Sequence, residues 1–379
     1  MSDLASSQWL RASAAQLPIN VYFDPTVYQL EQRYLFADAP SYYGHELMVP
    51  NDGDYFTLEW MQHGKMVKRV GDTVKVLSNV CRHRQALICE GRGNARHIVC
   101  NLHGWTYNNH GQLMGAPHFP STPCLNLGET ELTRWNGLLF DARRNVAKDL
   151  ACLGVAHYMT FEDYGFHHAR ITDYDFNWKT FIEVYSEDYH VDPFHPGLGN
   201  FVNCADLKWE WGDCYHVQTV GIKHATLASH SGSEVYSKWH SEVMRYYQEK
   251  HPEFGAIWLT YYPNIMVEWY PHCLVISVVI PRGPEKCTVA TEFYYPEEIL
   301  YFEPEFIEAE QAAYFETAKE DDEICYRMHN GRKVLWQRGE NAVGPYQSPM
   351  EDGMQHFHEY YSRIMGKHIL TEKPSLSVK

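Results

Sequence analysis

The sequence predicts an α+β protein: a small antiparallel β domain, then a larger domain in which helices wrap an antiparallel sheet. Three observations predict it. Residues 46–142 are short β runs broken by turn residues, and the text from about 150 onward runs helix, several strands, then helices. No internal repeat or low-complexity tract competes with this order, and 379 residues leave room for two or three domains.

Met1–Asn20 is polar and mildly helical, with no apolar core of an export signal. Residues 21–45 read as an amphipathic helix, with Asp24 as N-cap and Pro25 at its first position. In the β stretch, Thr73–Leu77 follows the turn Gly71-Asp72, and Leu138–Phe140 follows Gly137. Residues 177–190 hold neither Pro nor Gly, so one helix is expected up to His190. Runs at 214–222, 257–269, 273–281 and 287–295 are rich in Val, Ile, Tyr and Trp and read as strands. Residues 304–323 and 350–365 read as helices. The domain bounds are therefore 1–45 for an N-terminal helical segment packing on the last domain, 46–145 for the β domain, and 146–379 for the sheet-and-helix domain.

Two Cys–His pairs sit in the β domain, at Cys81-Arg82-His83 and Cys100-Asn101-Leu102-His103, the second running into Gly104-Trp105. Each loop offers one thiolate and one imidazole. A Rieske [2Fe–2S] centre needs that set, because two Cys hold one iron and two His the other. A structural Cys2His2 zinc site uses the same ligand types but usually groups Cys with Cys and His with His. Trp105 and Tyr107 are placed to cover the centre from water, whereas His110 and His118 read as ordinary surface or core residues.

A second constellation follows in the expected helix. Glu183, Glu187 and His190 fall at i, i+4 and i+7, one stripe of one face. Pro193 is expected to break the helix and let His195 swing back towards His190. Two imidazoles and one carboxylate make the facial triad of mononuclear non-haem Fe(II) oxygenases, which leaves positions open for O2 and substrate.

The cluster loops followed by Glu187-x-x-His190-x4-His195 resemble the oxygenase (alpha) subunit of the Rieske non-haem iron oxygenases, from roughly residue 20 to residue 360. The resemblance implies a Rieske domain and a helix-grip catalytic domain. It implies electron transfer from the cluster to a mononuclear iron in the neighbouring subunit, where O2 is activated. It makes Glu187 the acid that bridges the centres through a His ligand of each. The family pattern Glu-Asp-x3-Cys-x5-Gly falls on Glu320-Asp321 through Cys325 and Gly331, which implies Asp321 as third iron ligand with Asp322 as the alternative. As a plain sequence feature, 320–323 is also an acidic helix start. Val184 stands where the family often has Asn, and Met328-His329-Asn330-Gly331 departs from a usual Gln before Arg-Gly. Both departures weaken transfer of a substrate from any relative.

Composition bounds the partners. Net charge is −16 and pI about 5.7, which argues against nucleic acid and anionic membrane surfaces. No run approaches a transmembrane span. The ten Cys show no paired framework and fit a reducing cytoplasm. Gly91-Arg92-Gly93 lacks the context of a nucleotide site, and no flavin or nicotinamide fingerprint is present. NAD(P)H electrons are thus expected through a separate flavin and ferredoxin-type reductase, and the resemblance implies a homotrimer. The expected activity is O2-dependent hydroxylation or oxidative N-dealkylation of a small substrate. Glu187 and the 27 Tyr, 17 Phe and 11 Trp tilt the substrate towards a quaternary amine held by cation–π contacts. Ring dihydroxylation of an aromatic acid is the alternative. An electron-transfer or zinc-stabilised protein without oxygenase activity is the reading from another class.

Overall fold

The computed structural model describes residues 16–61, 63–223, 232–247 and 252–369. The expectation of a polar, mildly helical N-terminus lies mostly outside them. The chain forms two compact units, residues 40–151 and residues 1–39 with 152–379. The smaller unit thus takes in residues 40–45, which the sequence assigns to the N-terminal helix, and reaches Ala151 rather than 145.

The smaller unit holds three antiparallel sheets. The first has the order β1 (Tyr42–His45), β11 (Leu138–Asp141), β10 (Leu132–Trp135). The second runs β5 (Arg92–Asn94), β2 (Asp54–Thr57), β3 (Lys65–Val70), β4 (Thr73–Ser78), β9 (Glu129–Thr130). The third is β6 (His97–Val99), β7 (Thr106–Asn108), β8 (Leu113–Gly115). The Cys81 loop follows β4 and the Cys100 loop joins β6 to β7. A turn of helix, α2 (Val146–Asp149), capped by the Asn145 side chain, closes the unit.

The larger unit is built on one seven-stranded antiparallel sheet. Its strands are β12 (Tyr164–Tyr174), β13 (Val202–Gly212), β14 (Tyr215–Ile222), β15 (Ala256–Tyr261), β16 (Ile265–Tyr270), β17 (Cys273–Gly283) and β18 (Lys286–Pro296). They lie in the order β12-β18-β17-β16-β15-β14-β13. The run expected at 257–269 is two strands, β15 and β16, because Tyr262-Pro263-Asn264 turns the chain. Both sheet edges escape sequence reading: β12 and β13 carry mixed polar residues and register irregularities, so neither has clean apolar alternation.

Helices hold one face of this sheet. The first, α1 (Pro25–Tyr34), starts as expected, with the Asp24 carboxylate accepting from Thr26 N at 2.8 Å and Pro25 at its first position. It stops at Tyr34 rather than 45, since Pro40 cannot continue a helix and Tyr42 already enters β1. Glu31 binds it to the rest of the unit. This buried carboxylate accepts from Trp178 Nε1 (3.0 Å), Lys179 Nζ (2.6 Å) and Tyr361 Oη (2.6 Å).

The helix expected over 177–190 stops at Tyr185, and a separate short helix starts beyond His190. Asn177 caps α3 (Trp178–Tyr185), and α4 (Val191–Phe194) follows after a break. The break comes at Glu187, whose carboxylate accepts from the backbone N–H groups of Tyr189 and His190 and so competes with helix continuation. Pro193 therefore breaks nothing. It lies in the first turn of α4, where a missing N–H costs nothing. Further on come α5 (Leu198–Phe201), α6 (Glu234–Tyr246), α7 (Glu297–Phe302), α8 (Pro304–Gln337) and α9 (Asp352–Ile369). The expected helix at 304–323 thus continues to Gln337 in α8, which packs on α3, α6 and α7. Among the described residues, no helix is long and apolar enough to cross a membrane.

Candidate two-iron-centre site

The two Cys–His loops of the smaller unit have one backbone design. Cys81 N–H donates to Ala86 O (2.9 Å) and Cys81 O accepts from Gln85 N–H (3.1 Å). Likewise Cys100 N–H donates to Trp105 O (2.8 Å) and Cys100 O accepts from Gly104 N–H (2.9 Å). The fourth residue after each Cys is left-handed, Gln85 at φ 55° and Gly104 at φ 70°. This matched pair of turns brings His83 and His103 to a centroid separation of 4.6 Å. Both Cys are buried free thiols, and His83 Nδ1 is buried without a hydrogen-bond partner. A buried donor or acceptor left bare in this way asks for a ligand, and a thiolate-and-imidazole set suits a Rieske cluster. Trp105 stacks on His83 at 5.0 Å, and the buried Tyr107 hydroxyl lies 3.5 Å from Cys81 Sγ.

In the larger unit, His190, His195 and Asp321 form a group whose candidate ligand atoms all lie within 4.8 Å of one another. His195 Nε2 is 3.0 Å and His190 Nε2 3.4 Å from Asp321 Oδ1. Ligand atoms bound to one ion at ~2.1 Å and at right angles lie ~3 Å apart, so the spacing fits a single metal. His195 Nε2 and Asp321 Oδ1 are also buried with no hydrogen bond satisfied.

Each imidazole is aimed by a carboxylate on its other nitrogen. His190 Nδ1 donates to Glu187 Oε1, and His195 Nδ1 donates to Glu320 Oε2 at 2.7 Å. With Nδ1–H committed outward, both Nε2 atoms face Asp321, where a bound metal would take their lone pairs. Burial opposes charge on His190, yet hydrogen bonds and attraction from Asp321 and Glu187 prevail and raise its pKa to about 10. Burial likewise opposes ionisation of Asp321, but the two imidazoles beside it hold its pKa below the ordinary carboxylate value. The site thus concentrates negative charge and is built for a cation.

Asp322 is not in the group. One residue along α8 turns it about 100° away, and it takes the Tyr174 hydroxyl instead. Glu183 also leaves the expected acidic stripe, because α3 ends before Glu187. It is fully buried in a structural network, ion-paired with Arg332 (2.6 Å) and accepting from His358 Nε2 (2.9 Å) and the Tyr22 hydroxyl. Glu320 is the acid that motif reading passed over as a working residue. Its only signal was its place beside Asp321. Replacing Glu320 by Ala should free the His195 ring and weaken iron binding by about 10–100-fold, measured as retained Fe(II) against a graded chelator.

A cavity of about 380 Å³ opens onto the triad. It is walled by the sheet and by α8, and Val184, one of the departures from the family pattern, lines it. Three buried carboxylates line it, Asp188, Glu268 and Glu310, while the lining cations Arg170 and Lys319 are exposed.

Comparison with known proteins agrees with this geometry. Residues 42–126 match the Rieske [2Fe-2S] domain, and residues 161–367 match the catalytic domain of ring hydroxylating alpha subunits. The putrescine 2-hydroxylase of Ralstonia nicotianae is 57% identical over 365 residues, covering 96% of this chain and 100% of the relative. That of Bordetella bronchiseptica is 48% identical, covering 97% of this chain and 88% of the relative. The crystal structure of the quaternary ammonium Rieske monooxygenase CntA in complex with an inhibitor has a TM-score of 0.75 at 19% identity. It covers 93% of this chain and 95% of that one, and it shows a shared fold. The chain belongs to the Rieske non-haem iron oxygenases as an alpha subunit. It is an oxidoreductase that incorporates oxygen from O2, with a Rieske cluster and a mononuclear iron as its cofactors. The zinc-scaffold and pure electron-transfer readings fall with that match.

Proposed function

We propose that this chain hydroxylates a carbon of a small aliphatic diamine of the putrescine class. One oxygen atom of O2 enters a C–H bond, and the other leaves as water with two electrons and two protons. The observation that carries this reading is the 57% identity, over the whole length of the relative, to a putrescine 2-hydroxylase. The cavity supports it physically. Glu268 and Glu310 are buried beside the space a substrate would fill, and buried carboxylates are stabilised by a cation rather than by an aromatic acid. A quaternary amine, which Glu187 suggests by resemblance, has no N–H to donate to them.

In this reading Cys81, His83, Cys100 and His103 hold the cluster, and His190, His195 and Asp321 hold the iron. The cluster supplies electrons and the iron binds O2. Glu187 carries the electron path from the next subunit to His190, which makes a closed ring, a homotrimer, the working unit. A separate flavin and ferredoxin-type reductase delivers the electrons from NAD(P)H. The eight Cys left over from the cluster form no disulfide, which supports a cytoplasmic setting.

The test is incubation with a flavin–ferredoxin reductase, NADH, ¹⁸O2 and putrescine. One labelled oxygen atom on a carbon of the recovered diamine is the expected result. Labelled product from carnitine, choline, betaine or benzoate but not from putrescine would overturn the reading.

A further inference from the structure

Strand pairing sets Gln218 of β14 opposite Trp258 of β15, and Trp258 opposite Glu268 of β16. Residues directly paired across antiparallel strands share a face. A neutral acceptor, an aromatic ring and a carboxylate therefore form one row over ~10 Å of the cavity wall, and all three line the cavity.

Glu268 is 1% exposed, yet no Lys or Arg pairs with it among the described residues. It is held by hydroxyls alone. Tyr270 donates to Oε2 at 2.8 Å, and Ser277 and Tyr314 donate to Oε1 at 2.9 and 3.3 Å. Trp258 Nε1 in turn donates to Tyr270 Oη at 2.9 Å, which fixes that hydroxyl's proton on Glu268. A carboxylate has about four acceptor positions. Three are taken here and one, on Oε2, is left.

A second observation is independent of the carboxylate. Gln218 Oε1, on a residue 2% exposed, and the Tyr185 hydroxyl are buried without a hydrogen-bond partner, and both residues line the same cavity. Bare buried polar atoms are costly, because they lose their bonds to water and gain none in return. The cavity thus presents an unfilled carboxylate position and two more unfilled polar groups. A primary ammonium, with three N–H donors and a full charge, fits such a wall.

Its distance from the chemistry is set by α8. Tyr314, which touches Glu268, and Asp321 of the triad are seven residues apart on one face of that helix, two turns or ~10 Å. That span leaves room for a short alkyl chain between an anchored ammonium and the metal-binding group.

We propose that Glu268 is the substrate-selecting residue of this oxygenase, binding one ammonium group of the diamine while its carbon chain extends towards His190, His195 and Asp321. The proposal rests on the amine reading above and deepens it to a named contact. Burial raises the Glu268 carboxyl to about 7 in the empty cavity, and an arriving ammonium stabilises the ionised form.

The experiment is anaerobic titration calorimetry and steady-state kinetics on the iron- and cluster-loaded enzyme. Glu268→Gln keeps the shape: its amide oxygen can still accept from Ser277 and Tyr314, while its NH2 turns to donate to Tyr270 Oη. Putrescine Kd and KM should rise about 100-fold, with kcat changed by less than about 5-fold. Glu268→Asp, which keeps the charge but shortens the reach, should recover part of that loss. Permethylated putrescine offers charge without N–H and should bind the wild type at least about 30-fold more weakly than putrescine. This comparison needs no variant, so a misfolded substitution leaves the test intact. Unchanged putrescine affinity in Glu268→Gln, or equal affinity of the permethylated ligand, overturns the role of Glu268. A wild type that binds putrescine tightly but does not hydroxylate it overturns the proposed reaction and leaves the anchor standing. Absence of putrescine binding to the wild type overturns both.

Discussion

Replacing His190 by Ala is expected to abolish hydroxylation while leaving the visible spectrum of the [2Fe–2S] cluster unchanged. Among the described residues His190 supplies one of the three protein groups that converge at the triad, so its loss should lower iron affinity by more than ~100-fold, beyond the usual effect of removing a supporting residue. The cluster loops belong to the other compact unit, and their matched turns depend on hydrogen bonds that do not involve residue 190. Two readouts separate the cases. Iron analysis should fall towards the two atoms expected of the cluster alone, and the EPR signal of a nitric oxide adduct at the mononuclear site should vanish. Loss of the visible spectrum along with activity would mean that His190 supports the fold rather than the iron.

Changing Glu187 to Gln should leave both metal centres filled and yet slow turnover by about 100-fold. The amide oxygen can still accept from His190 Nδ1–H, so the ring keeps its aim. What disappears is the negative charge that makes Nε2 a better donor and that couples His190 to its electron source. The measurement is stopped-flow re-oxidation of dithionite-reduced enzyme by O2 with substrate present. Re-oxidation at the wild-type rate with full iron content would refute the bridging role. Loss of iron instead would show that Glu187 acts only by positioning His190, since its carboxylate also accepts the backbone N–H groups of residues 189 and 190.

What could be read without coordinates was chemistry carried by neighbours in sequence. Cys81 with His83, Cys100 with His103, and His190 with His195 each sit a few residues apart, so spacing alone announces a shared ligand. The strands from 214 to 295 were legible for a similar reason, because their apolar runs are local. The helix breaks were not. Whether the helix from 178 ran on to His190 or stopped at Tyr185 turned on where the Glu187 carboxylate sends its oxygens, which residue-type rules for helices do not contain.

The rest was decided by which elements face one another. By residue type the four consecutive acids at 320–323 are alike, and in sequence only the family pattern singles out Asp321. In the fold, helical rotation gives Asp321 to the triad, Glu320 to His195 and Asp322 to Tyr174. Glu183 looks like a member of the metal site until Arg332, His358 and Tyr22 arrive from distant segments and bury it. Gln218, Trp258 and Glu268 carry no motif at all, and only strand register makes them one wall. The sequence by itself therefore determined the class of chemistry, since metal ligation depends on residue type and short spacing. The tertiary structure alone determined which acid serves which partner and what the cavity can hold, because charge and hydrogen bonding act through distances in space that chain separation does not encode.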